Sequence, residues 1–276
     1  MFRKKSQFKT SKIAKKRRKK LVVRVISYSL LVVAFVFGLS FLSRAQFLNI
    51  KEIKVIGNNA IKTEEIIKIA EEKISGKVAG LFSRSNVLLY PRYEIESEIL
   101  KQFKRILDAE VSIEKFSILN IEITERQIFG LWCEVLLNQI SDEKCFYLDK
   151  TGFLFDEAPN FSGNSYVRYY TATSSEAVSD YFVETSDFER LNTFLTQLSK
   201  TFNVQVLKVV NNPESIEIYF NVGTKIILSS DSDFEKTLEN LVVFVNELKS
   251  QKEVDSLASF ERIDLQFGNK IFYKVR

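Results

Sequence analysis

The sequence predicts an α+β protein held by a single N-terminal transmembrane helix, with a β-α-α-β-β unit followed by a larger mixed α/β unit. Three observations predict it. A run of 18 uncharged residues, Val25–Leu42, follows a basic tail. Beyond it, apolar residues recur alternately at strand and helix spacing. The last strand pattern, Lys270–Val275, ends the chain and is expected as an antiparallel edge strand, which Lys270 and Lys274 would guard against promiscuous pairing. The boundaries read as tail 1–20, span 21–44, first unit 46–124 and second unit 125–276.

Charge is segregated. Residues 1–24 carry twelve Lys and Arg and no acid, the first acid being Glu52. Removing those twelve from the net charge of +5 leaves −7 for residues 25–276. The folded part is therefore acidic, and nucleic acid is not an expected partner, since it needs a basic face. With Leu21–Val23 and a snorkelling Arg24, the apolar run reaches the ~20 residues that cross a bilayer. A cleaved signal peptide, with Ser43-Arg44-Ala45 as its cleavage site, is the competing reading. The apolar run is longer than the usual ~7–15-residue signal core, which favours an uncleaved anchor. The Lys/Arg bias places the N-terminus in the cytoplasm. The tail reads as the topology signal, with binding to anionic lipid or the nucleoid as the alternative.

In the first unit, Ile50–Ile56 sets Ile53 and Val55 on one strand face, and Gly57-Asn58-Asn59 breaks it. Thr63 is expected to cap a helix burying Ile66, Ile67, Ile69, Ala70 and Ile74. Ser75–Asn86 reads as a loose Gly/Ser stretch. Pro91 suits the first turn of a helix burying Ile95, Ile99, Leu100 and Phe103. Two strands close the unit: Val111, Ile113 and Lys115 alternate, then Leu119, Ile121 and Ile123.

In the second unit, Phe129–Leu137 and Cys145–Leu148 read as hairpin arms, and Lys150-Thr151-Gly152 as a turn. A helix over Asp187–Phe202 buries Phe188, Leu191, Leu195, Leu198 and Phe202, with Ser186 and Glu189 as its capping box. A second, over Phe234–Leu248, buries Phe234, Leu238, Leu241, Val242, Val245 and Leu248, with Ser232 and Glu235 in the same roles. Val204–Val210, Ser215–Phe220, Lys225–Ser229, Glu261–Phe267 and Lys270–Val275 read as strands.

Chemistry-bearing motifs are scarce. The chain has no His, two Cys and one Met, so imidazole acid/base chemistry and a thiolate zinc cage are excluded. No phosphate loop, nucleophile elbow or Ser-x-x-Lys site stands out. Glu64-Glu65 and Glu71-Glu72 read as solvated helix face. No catalytic residue, metal or cofactor is expected. Cys133 and Cys145 are either a disulfide or two buried thiols, a choice the sequence leaves open.

Phe47–Asn58 (F-L-N-I-K-E-I-K-V-I-G-N) resembles the start of a POTRA domain. The stretch Leu119–Arg126 (L-N-I-E-I-T-E-R) is similar to the junction that ends this domain in the FtsQ/DivIB family, and Ile263–Tyr273 (I-D-L-Q-F-G-N-K-I-F-Y) resembles that family's closing strands. The resemblance runs in order along essentially the whole chain. It departs at Ile128, at Glu114-Lys115-Phe116-Ser117 and at Gln266, where the family usually has Pro, Pro and Arg. The resemblance implies a non-catalytic cell-division scaffold at the septum, with a POTRA domain that recruits other division proteins and a β-domain that binds FtsB/DivIC-like and FtsL-like partners. It implies a docking site made of Phe267, Lys270, Ile271, Phe272, Tyr273 and Val275. An anchored POTRA scaffold in secretion or envelope assembly is the rival, and a tethered cell-wall enzyme a more distant one.

Overall fold

A computed structural model describes residues 8–134, 144–160, 163–171, 181–268 and 270–276. The chain divides into two compact units, Met1–Glu125 and Arg126–Arg276.

The first unit begins with α1 (Phe8–Leu42), whose stretch from Lys15 is long and apolar enough to cross a membrane. The helix also runs back through the basic segment, since Lys, Arg and Ala are strong helix formers. After a 3-10 turn at Gln46–Leu48 come β1 (Glu52–Ile56), α2 (Thr63–Ile74), a short hairpin of β2 (Lys77–Val78) and β3 (Phe82–Ser83), α3 (Arg92–Gln102), β4 (Ile106–Glu114) and β5 (Ile118–Glu125). The hairpin lies where the sequence reads only as a loose stretch. β5 is central in a three-stranded sheet, parallel to β1 and antiparallel to β4. Ile66, Ile69, Ile95, Ile99, Val111, Leu119 and Ile121 make its core. Gly57 ends β1 at φ +87°, and a Cβ there would lie 2.1 Å from the Ile123 carbonyl oxygen, so only glycine fits.

Four expectations for this unit are corrected. Thr63 is the first helical residue and not the cap; Lys62 holds that position, and the Thr63 hydroxyl accepts from the Asn58 amide at 3.0 Å. Pro91 caps α3 instead of entering it. Leu100 is exposed, because it follows Ile99 by one residue and is rotated about 100° off the buried stripe. Lys115 is not in the strand: Lys115 and Phe116 both have positive φ, 53° and 59°. Two such residues in succession make the primed turn that suits a hairpin, and proline could occupy neither.

The second unit is a nine-stranded sheet. Its strands are β6 (Gly130–Cys133), β7 (Cys145–Leu148), β8 (Leu154–Ala158), β9 (Arg168–Thr171), β10 (Val206–Asn211), β11 (Ser215–Phe220), β12 (Lys225–Ser229), β13 (Phe260–Phe267) and β14 (Lys270–Val275). Their spatial order is β14-β13-β12-β11-β10-β9-β6-β7-β8. Helices α4 (Thr185–Phe202) and α5 (Phe234–Ser250) link the parallel neighbours β9–β10 and β12–β13. Both pack on one face, where Phe188, Phe194, Leu198, Leu241 and Val245 meet Tyr169, Val209, Ile218, Ile226 and Ile263. Each such side chain contributes about 1.5–3 kcal/mol by burial. Phe194, absent from the sequence reading, lies at 1% exposure in this core, whereas Phe202, Leu238 and Val242 are only half-buried. On the opposite face a smaller cluster of Leu131, Cys133, Cys145, Tyr147, Phe155 and Tyr170 covers the β6–β9 end.

Cys133 and Cys145 face each other across β6 and β7 and are joined, their Sγ atoms 2.06 Å apart. Residues 135–137 of the expected first hairpin arm lie outside the described residues. Neither serine capping box forms. The first turn of α4 closes on the Glu184 carbonyl, which accepts from Asp187 and Phe188 at 3.0 Å, leaving Ser186 inside the helix. α5 is capped by Asp233, whose carboxylate accepts from the Glu235 and Lys236 amides.

Candidate functional site: the open edge of the large sheet

β14 occupies one edge of the nine-stranded sheet, with a neighbour, β13, on one side only. Gly268, at φ +63°, helps reverse the chain between them. Asn269 lies outside the described residues. The register pairs Phe260 with Val275, Arg262 with Lys274, Ile263 with Tyr273, Asp264 with Phe272 and Phe267 with Lys270, with irregularities on either side of the central pairs. Such bulges increase twist and blunt an edge against promiscuous pairing.

Alternation splits the named residues between two faces. Tyr273 turns toward the helices, with ring centroids 5.2 Å from Phe244 and 5.9 Å from Phe260, and Ile271 is half-buried against the same core. Phe272 is on the other face, half-exposed and edge-to-face with Phe267 at 5.3 Å. Lys270 and Val275 are exposed. The Lys274 ammonium reaches the Glu261 carboxylate at 2.6 Å, and this hydrogen bond holds Glu261 below its ordinary pKa.

The register uncovers a second feature that the sequence reading missed. Arg168 pairs with Lys208, Lys208 with Tyr219, Tyr219 with Lys225, Lys225 with Arg262 and Arg262 with Lys274. Directly opposed residues share a face, so these six form one row across β9–β14 on the helix-free side. At a strand spacing of about 4.8 Å the row is roughly 24 Å long. It is laced by cation–π contacts: the Lys208 ammonium lies 4.4 Å from the Tyr170 ring centroid and 5.5 Å from that of Tyr219, and Lys225 lies 5.6 Å from Tyr219. Three acids temper it. Glu217 lies 3.4 Å from Lys225, Asp264 lies 2.8 Å from Arg262, and Glu261 meets Lys274. The Tyr219 phenol donates to Glu217; burial, and then that carboxylate, push its pKa up to about 12, so it stays protonated. Among the described residues, five cations against these three acids make a basic stripe. Nothing in the linear order brings Arg168 to Lys274, so only the register could disclose it.

No family model matches the chain. Over 239 residues it is 26% identical to cell division protein DivIB of Clostridium tetani (strain Massachusetts / E88), spanning 82% of this chain and 81% of that protein. This similarity supports the resemblance to the FtsQ/DivIB family.

Proposed function

We propose that this chain is a non-catalytic scaffold of bacterial cell division, anchored in the cytoplasmic membrane by α1 with its N-terminus inside and both folded units outside, at the septum. The DivIB similarity supports a division role, and the apolar helix fits a single anchor. In this reading the first unit is a POTRA domain that recruits other division proteins. The second grips FtsB/DivIC-like and FtsL-like partners and thereby helps control septal peptidoglycan synthesis. The observation that carries the grip is the open edge β14 beside a basic row. An incoming strand would add to the edge through main-chain hydrogen bonds. Acidic side chains of the partner would meet Arg262 and Lys274.

The structure changes which residues test this. Charges at Ile271 or Tyr273 would disturb packing against the core, whereas Phe272 and Lys274 face outward. Full-length protein carrying Phe272→Glu with Lys274→Glu is expected to lose at least about tenfold in affinity for an FtsB/DivIC-like partner in detergent pull-down, as loss of an interface anchor does. Its thermal melt should be unchanged, and it should fail to restore septation in depleted, filamenting cells. Binding retained within about twofold would rule out this edge.

A further inference from the structure

The end of α1 is not bare. The Ser40 hydroxyl donates to the Leu81 carbonyl at 2.6 Å, and the Arg44 guanidinium reaches the same oxygen at 3.4 Å. The Asn86 side-chain amide donates to the Ser43 carbonyl at 2.9 Å. Ser40, in the last turn of α1, and Ser43, just after it, are consequently buried, whereas the apolar residues of α1 are mostly exposed. The β2–β3 hairpin therefore lies against the last turn of α1. The segment after it is tied to the chain leaving the helix: Ile50 N–H donates to the Ser85 carbonyl and Val87 N–H to the Leu48 carbonyl, both at 2.8 Å.

Depth follows from length. Arg24 and Arg44 are twenty residues apart. At 1.5 Å per residue that is about 30 Å, the thickness of the hydrocarbon core. With Arg24 in one headgroup layer, Arg44 reaches the other. Leu81, held by both Arg44 and Ser40, then sits at the boundary between headgroups and acyl chains. Around this point the surface is apolar: Phe41, Phe47, Val78, Leu88 and Leu89 are all exposed, Leu88 at 79%. Phe41 lies on α1 itself, the hairpin is tied to the last turn of α1 and the stretch before Leu88 to the chain leaving it, and exposed apolar side chains grouped in this way mark interaction sites.

We propose that the β2–β3 hairpin and Leu88–Leu89 form a second membrane contact, inserting apolar side chains into the outer headgroup–acyl boundary beside the anchor. The occupant is lipid, because a face fixed to the last turn of the span is at bilayer depth whatever else the protein binds. Interfacial segments of this kind combine apolar side chains with neighbouring cations, here Arg44 and Lys77. The inference rests on reading α1 as a span.

The test uses the full chain in phosphatidylcholine/phosphatidylglycerol vesicles whose acyl chains are brominated near the headgroup. Tryptophan is placed singly at Val78, Leu88, Phe37 and Leu107, and the signal of Trp132 is subtracted using the unsubstituted protein. Phe37 reports the span, and Leu107, exposed on β4, reports the unit away from it. Tryptophans at 78 and 88 are expected to lose about half their emission, and the one at 107 almost none. Quenching at 37 with none at 78 or 88 would overturn the proposal and leave the anchor standing. No quenching at 37 would remove the anchor and this contact together. Blue-shifted but unquenched emission at 88 would put a second copy of the chain over the face, and would overturn it too.

Discussion

Glu125 and Arg126 are adjacent, and each is fastened within its own unit. The Glu125 carboxylate accepts from the backbone amides of Asn59, Ala60 and Ile61 at 2.7, 2.9 and 3.3 Å, which holds the turn after β1. The Arg126 guanidinium bonds the buried Asp149 carboxylate at 2.5 Å and lies over the Phe153 ring. Burial alone would raise the Asp149 pKa. The Thr151 hydroxyl and amide, Arg126 and the Phe153 amide outweigh it and hold the carboxyl below its ordinary value. A depressed folded value means stabilisation that is full at neutral pH and lost as pH falls through that value. Asp149→Asn should therefore cost the second unit about 3 kcal/mol at pH 7, as for other broken buried ion pairs. The gap from the unsubstituted protein should narrow as pH falls below the carboxylate range. Denaturant titration followed by fluorescence checks both, because Trp132, the single tryptophan, sits in this unit's core.

Among elements, the amphipathic helices and β5 were the most legible. Their apolar residues recur over many turns or alternate cleanly, and burial follows that pattern. Helix ends were less so. Ser186 and Ser232 each head a hydroxyl-x-x-acid pattern and Thr63 precedes an apolar-periodic run, yet none caps its helix. At α5 a carboxylate one residue further on competes better for the orphan amides than the Ser232 hydroxyl, being charged and adjacent to the first turn. Asp233→Ala should accordingly lower stability by about 1 kcal/mol, and Ser232→Ala by much less. Thermal unfolding of the two variants would distinguish them. Strands β8 and β9 escaped the sequence reading because their buried residues fall in adjacent pairs, Leu154-Phe155 and Tyr169-Tyr170, and show no alternation.

For the whole molecule, the order of elements was largely readable and the spatial order of strands was not. Edge placement of β14 was expected from the sequence, and its two lysines, Lys270 and Lys274, suit an edge. The basic row was not, because it joins Arg168 to Lys274 through four intervening strands whose registers are set by bulges at Val206–Lys208 and Phe260–Arg262. Local sequence carries period and turn chemistry; register over more than 100 residues is decided by how the core packs. The bond between Cys133 and Cys145 has a consequence of another kind. It makes residues 133–145 a covalent ring, so one peptide cut inside it opens the ring without parting the chain. Cleavage engineered after Lys144 should leave a single 32.0 kDa species on a non-reducing gel, and pieces of 144 and 132 residues should separate only once a thiol is added. Two bands without reductant would mean that the ring is open. A nick there would thus leave one connected molecule.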